Sequence, residues 1–163
     1  MHRGLVLRSG KLSSTQSSVF LVRRIETGID YYLKIIQHKD LKSYQLEKKA
    51  LTEFKNNDLC RFGFPELISS IENEDHAEML IEALGFNLRQ VMLEMPTSNF
   101  SKPTCYKIML QLIDLIEKLH SVNLVHNDLK LENIVVGIRD PSQLYLIDFG
   151  LTQSLVDDNG RHI

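Results

Sequence analysis

The chain has 163 residues, 43% of them hydrophobic and 25% charged, with a formal net charge of −2. It is long enough for one sizeable core or two small lobes, and its near-neutral balance supplies no long-range field for nucleic acid. No run is long enough to span a bilayer, the start "MHRGLVLRSGK" lacks the apolar segment of a signal peptide, and Cys60 and Cys105 have neither framework nor metal spacing. The expectation is a chain with reduced cysteines, cytoplasmic or nuclear, with no nucleic-acid partner and no membrane span.

Residues 4–8 and "VFLVRR" (19–24) read as strands flanking the polar loop "SGKLSSTQSS". Gly28 brings turn chemistry, and "YYLKII" (31–36) follows as a third β-rich run. "SYQLEKKALTEFKNN" (43–57) carries Leu46, Ala50, Leu51 and Phe54 at helical spacing. Gly63 and Pro65 break that pattern. "ELISSIENEDHAEMLIEA" (66–83) predicts two strands around a charged turn at Asn73–Asp75.

Leu84-Gly85 punctuates the chain, and "NLRQVMLEM" (87–95) predicts a short helix. Pro96 and Pro103 mark a loop. From Thr104 to Ser121 the apolar positions Ile108, Met109, Leu112, Ile113, Leu115, Ile116 and Leu119 form a stripe wide enough for a helix buried on more than one side. "NIVV" (133–136) and "LYLIDF" (144–149) predict two short strands joined by "GIRDPSQ". The order is a β-rich half containing one helix, a connector near 82–87, and a helical half carrying a small hairpin.

Chemistry concentrates in "LVHNDLKLENIVV", which sets His126, Asp128, Lys130 and Asn133 within eight residues, with Asp148-Phe149-Gly150 following. In this order and spacing, "HNDLKLEN" followed by "LIDFG" resembles a protein kinase. The resemblance implies an α+β, two-lobed, protein-kinase-like fold: a small antiparallel β lobe with one helix (1–81), a hinge (82–87) and an incomplete helical lobe (88–163). It implies ATP and Mg²⁺ as cofactors and a protein substrate. Asp128 would orient the substrate hydroxyl, Lys130 would sit on the transferring phosphate, and Asn133 and Asp148 would hold the metal with the hard oxygen ligands that Mg²⁺ prefers. Lys34 would contact the nucleotide phosphates, with Glu47 as its helix partner and Glu53, further along the same helix, as the alternative, and Val19 would flank the nucleotide. A lysine two places after the catalytic aspartate resembles serine/threonine kinases.

"MLIEALGFNLRQVM" (79–92) narrows the likeness to the hinge of the casein kinase I type. There Ile81 would be the gatekeeper, and the backbones of Glu82 and Leu84 would bond the adenine edge. The pattern also departs from the family. The three glycines expected ahead of Val19 fall on Leu12, Ser14 and Ser17, which weakens phosphate approach. Tyr32 replaces a small alanine and crowds the adenine pocket unless it swings aside. Asn127 replaces an arginine that grips a phosphorylated activation loop, so activation by loop phosphorylation is not expected. "HNDL…N" also occurs in choline- and aminoglycoside-type phosphotransferases, and the departures together admit a silent pseudokinase. In the family further helices follow the activation segment, so the chain is expected to be an incomplete domain whose 104–121 helix needs a covering partner.

Overall fold

The computed structural model describes residues 4–9, 12–13, 17–157 and 161. A six-stranded antiparallel sheet comes first, from β1 (Leu5–Leu7), β2 (Leu12–Ser13), β3 (Ser17–Arg24), β4 (Asp30–Gln37), β5 (Leu67–Glu72) and β6 (His76–Glu82). Its order is β1-β3-β4-β6-β5, with β2 also pairing β3. β2 lies inside what the sequence presents as a polar loop, where its backbone pairs Leu12 with Val19. Ser14 lies outside the described residues.

Strand alternation divides β4 between two environments. Tyr31 and Leu33 pack with Val22 and Leu80 on one face. Ile36 packs on the other face, into the main core with helix α1 (Leu41–Asn56). Lys34 and Tyr32 share that second face by the period of two. The buried positions of α1 are Tyr44, Glu47, Ala50, Leu51 and Phe54, one stripe at helical spacing, which places Glu47 on the sheet-facing side.

Residues 83–87 leave the sheet as a connector stitched to the next layer. The Gly85 N–H donates to the Val136 carbonyl at 2.8 Å, and the Val136 N–H donates to the Phe86 carbonyl at 3.0 Å. A Cβ on Gly85 would lie 2.8 Å from that Val136 oxygen, so only glycine permits the approach. Helix α2 (Leu88–Leu93) starts in a capping box in which Asn87 and Gln90 bond each other's backbone N–H.

Helix α3 (Lys102–Ser121) begins two residues before the predicted start. Ser101 caps it, and Pro103 sits in the first turn, where no N–H is needed. The expected burial on more than one side does not occur. Leu115 and Leu119 are buried and Ile108 and Leu112 pack alongside, whereas Tyr106, Met109, Leu110 and Ile113 are exposed. Four short strands follow in two pairs: β7 (Leu124–Val125) pairs β10 (Gln153–Ser154), and β8 (Ile134–Val136) pairs β9 (Leu144–Leu146). The predicted strand over "LYLIDF" stops at Leu146, because Asp148 takes a left-handed backbone at φ 66° that no strand accommodates. Among the described residues, no helix is long and apolar enough to cross a membrane.

Candidate active site

Two groups of polar side chains meet where the sheet faces the second layer. The first belongs to β4, α1 and the segment after β9. Lys34 Nζ lies 2.6 Å from Glu47 Oε2 and 3.2 Å from Asp148 Oδ1. Lys34 and Glu47 are nearly removed from solvent, whereas Asp148 is about half exposed. Burial alone would push the Lys34 ammonium down, but Glu47 and Asp148 outweigh it and hold it above its ordinary value. Burial raises the Glu47 carboxyl, and nearby Asp148 adds to the rise, while Lys34 opposes both. The two shifts pull opposite ways on the pair. With an ammonium 2.6 Å away, itself held charged by a second carboxylate, the ionised pair is the arrangement that fits the geometry.

The second group lies on the loop after β7. Lys130 Nζ is 2.5 Å from Asp128 Oδ2, and the Asn133 amide donates to the same oxygen at 2.9 Å and to the Asp128 carbonyl at 2.8 Å. The bond from Lys130 is the main reason the Asp128 carboxyl sits below its ordinary range; partial burial opposes it and Asn133 assists. Because the Asn133 nitrogen makes both of these bonds, its Oδ1 is left without a protein partner among the described residues. A 3-10 turn over Leu131–Asn133 delivers the buried Asn133 into this position.

The backbone laces the two groups together. The Ile147 N–H donates to the Asn133 carbonyl, and His126 Nε2 bonds the Ile147 carbonyl, each at 3.0 Å. The Asp128 N–H donates to His126 Nδ1 at 3.3 Å, so the buried imidazole is neutral, with its proton on Nε2. Burial pushes His126 below its ordinary value. Both segments use left-handed residues, Asn127 at φ 63° and Asp148 at φ 66°, types that adopt this backbone most readily after glycine.

The sequence-predicted residues Lys34, Glu47 and Asp148 come together, as do Asp128, Lys130 and Asn133. Val19 lies opposite Lys34 on β3, and Ile81 lies opposite Tyr32 on β6. Glu82 turns its carboxylate to the Glu66 N–H at 3.3 Å and its own N–H to the Glu66 carbonyl at 3.0 Å. The carbonyl of Leu84, whose backbone is expected to bond the adenine edge, accepts from the Tyr32 hydroxyl at 2.9 Å. Three further contacts were not anticipated from sequence. Asn127 Nδ2 donates to the Leu151 carbonyl at 3.1 Å. A Cβ on Gly150 would meet Ser43 Oγ of α1 at 2.1 Å. Phe149 packs against both Phe54 and His126. Only the helical stripe of α1 hinted at Phe54, and nothing in sequence marked Ser43.

A family profile described as protein kinase domain matches residues 13–162. The chain belongs to the protein kinase family. Among curated kinases it is 30% identical over 95 residues to serine/threonine-protein kinase VRK2 of Homo sapiens, covering 58% of this chain and 18% of that one. It is 25% identical over 163 residues to serine/threonine-protein kinase spe-6 of Caenorhabditis elegans, covering 99% of this kinase chain and 42% of the relative. With the Aurora kinase of Eremothecium gossypii it shares 29% identity over 148 residues, 90% of this chain and 38% of that one. The chain therefore spans less than half the length of each of these relatives. The crystal structure of the PF14_0431 kinase domain superposes with a TM-score of 0.83 at 19% identity, covering 96% of this chain and 53% of that one, which shows that the fold is kinase-like.

Proposed function

We propose that the protein transfers the terminal phosphoryl group of ATP to serine or threonine hydroxyls of protein substrates, with a hinge of the casein kinase I type. The observation that carries this reading is Lys34 held between Glu47 at 2.6 Å and Asp148 at 3.2 Å. A cation fixed this way is aimed at a polyphosphate without having to reorganise. Val19, Ile81, Glu82 and Leu84 would line the nucleotide. Asp128 would orient the attacking hydroxyl and Lys130 would neutralise the phosphoryl oxygens. The donor set suits magnesium: Asp148 and Asn133 offer only hard oxygens, and Asn133 Oδ1 has no protein partner among the described residues. Bound there, Mg²⁺ would screen the phosphate charge that otherwise repels a nucleophile.

The casein kinase I type rests on the "IEALGFNL" connector, and none of the relatives named above bears that name. The exposed side of α3, with Tyr106, Met109, Leu110 and Ile113, supports a covering partner in the whole protein. With Cys60 and Cys105 both free thiols, a reducing compartment, cytoplasm or nucleus, is the setting we assign. The test is phosphate transfer from ATP to casein, choline and an aminoglycoside side by side, for wild type and for Asp148→Asn. We expect casein to be labelled, and the substitution to cut the rate on the order of 10²–10³-fold. Labelling of a small molecule alone would reassign the chemistry, and an Asp148→Asn protein as fast as wild type would refute the site.

Two observations favour a second reading, a silent kinase-like module. The Tyr32 hydroxyl bonds the Leu84 carbonyl, and the glycines expected at Leu12, Ser14 and Ser17 are missing. Absence of any melting shift with millimolar ATP and Mg²⁺ would favour that reading.

A further inference from the structure

Tyr32 lies on the cleft face of β4, two residues before Lys34 and directly across from Ile81. Its hydroxyl reaches the Leu84 carbonyl at 2.9 Å, a bond between residues 52 apart in the chain. The phenol therefore bridges the sheet to the connector instead of turning out to solvent. Burial raises its pKa, so the hydroxyl stays protonated and remains a donor at any physiological pH. The other side of the connector is already committed, because Gly85 and Phe86 bond Val136 of β8. That anchoring holds the connector next to Leu84 in place, so the Tyr32 side chain is the end of the bridge that can move.

We propose that Tyr32 gates the base end of the nucleotide site, holding the slot between β4 and the connector closed to a purine until the phenol swings out. This rests on the ATP reading above. An entering base must break the Tyr32–Leu84 bond and displace an aromatic ring that is half removed from water. Each of these costs weakens apparent nucleotide affinity, as does any equilibrium in which the competent form is a minor one. The phosphate end is not affected, since Lys34, Glu47 and Asp148 are assembled with Tyr32 in place.

The test is titration of the 163-residue chain with ATP, with and without Mg²⁺, for wild type, Tyr32→Phe and Tyr32→Ala. Tyr32→Val stands in if the alanine variant does not fold, and Lys34→Met in each background reports whether binding is in the cleft. The phenylalanine variant keeps the ring and loses the bond, and should bind about threefold to tenfold tighter than wild type, the value of one net hydrogen bond. The alanine or valine variant loses both and should bind more than tenfold tighter. Should the wild type bind ATP in a Lys34-dependent way and the small variants bind equally or more weakly, the proposal is overturned and the ATP reading survives. If no variant binds millimolar ATP, the ATP reading fails and this proposal fails with it.

Discussion

Phe149 meets Phe54 edge-on, with ring centroids 4.7 Å apart and planes at 70°, and both rings are fully buried. His126 also meets Phe149, tilted by 53° with centroids 5.0 Å apart, and Phe64 adjoins Phe54 at 4.6 Å. This aromatic column joins α1, which carries Glu47, to the two segments that carry Asp128 and Asp148. Phe149→Ala should cost about 3–5 kcal/mol in urea unfolding, through lost burial and a residual cavity. Phe149→Leu should cost clearly less. Equal midpoints for wild type and Phe149→Ala would mean the column does not hold the layers together.

The Lys34–Glu47 pair should behave as a buried ion pair. Lys34→Met should destabilise by about 3–5 kcal/mol because it leaves the buried Glu47 carboxylate unpaired, whereas Glu47→Leu should cost less because Asp148 still faces the Lys34 ammonium at 3.2 Å. Lys34→Met with Glu47→Leu should recover much of that loss, giving a coupling energy of roughly 1–3 kcal/mol in a double-mutant cycle. Additive single effects would show that the 2.6 Å contact carries no cooperative energy.

His126 sets a pH dependence. Its folded pKa lies below its ordinary value, so between the two values the unfolded chain binds the proton and the native chain does not. Its contribution to stability is fully present above about pH 6.5, the ordinary histidine value, and is lost as pH falls from there to the folded pKa. Asp128 and Asp148, the nearby carboxylates, pull the other way without reversing the shift. Melting temperature followed from pH 8 to pH 5 should fall below pH 6.5, and His126→Phe should flatten that part of the curve. An unchanged slope in the variant would assign the effect to other groups.

Asn127 combines a left-handed backbone with a side-chain bond to Leu151. Asn127→Gly keeps the backbone freedom and loses only the bond. Asn127→Val loses both and should be less stable than the glycine variant by about 1–2 kcal/mol. Because this tether carries no charge, removing phosphate from the purified protein with a phosphatase should leave its activity unchanged. A loss of activity would show that a phosphorylated group has taken over the positioning.

Gly63 has φ 112°, and a Cβ there would lie 2.3 Å from the Leu144 carbonyl. Its own carbonyl accepts from the Leu146 N–H at 2.9 Å. Gly63→Ala combines backbone strain of about 1–3 kcal/mol with a clash against backbone. It should lower the thermal midpoint markedly although the site lies elsewhere. A midpoint within a degree of wild type would contradict this geometry.

Much of the fold was legible because period and punctuation are local properties. The strands over 19–24 and 31–36, the helix around Glu47 and the pair of strands flanking Asn73–Asp75 all appear near their expected places. Boundaries failed where a pairing partner, a left-handed backbone or a cap decided them. β2 exists because β3 is beside it, "LYLIDF" ends early because Asp148 must turn left-handed, and α3 starts early because Ser101 and Pro103 suit a first turn. The wide apolar stripe of α3 foretold burial on more than one side, yet a sequence cannot say how much of a stripe the rest of the chain covers.

From the sequence alone came the residue types and their order: a strand lysine, a helix glutamate, and the spaced Asp128, Lys130, Asn133 and Asp148 on which the resemblance to protein kinases rests. Tertiary structure alone decided what these groups touch. Lys34 and Asp148 are 114 positions apart, and Tyr32 and Leu84 are 52 apart. Distances across such gaps depend on how sheet and helices pack. Spacing along the chain carries no information about which way a phenol or a carboxylate finally points.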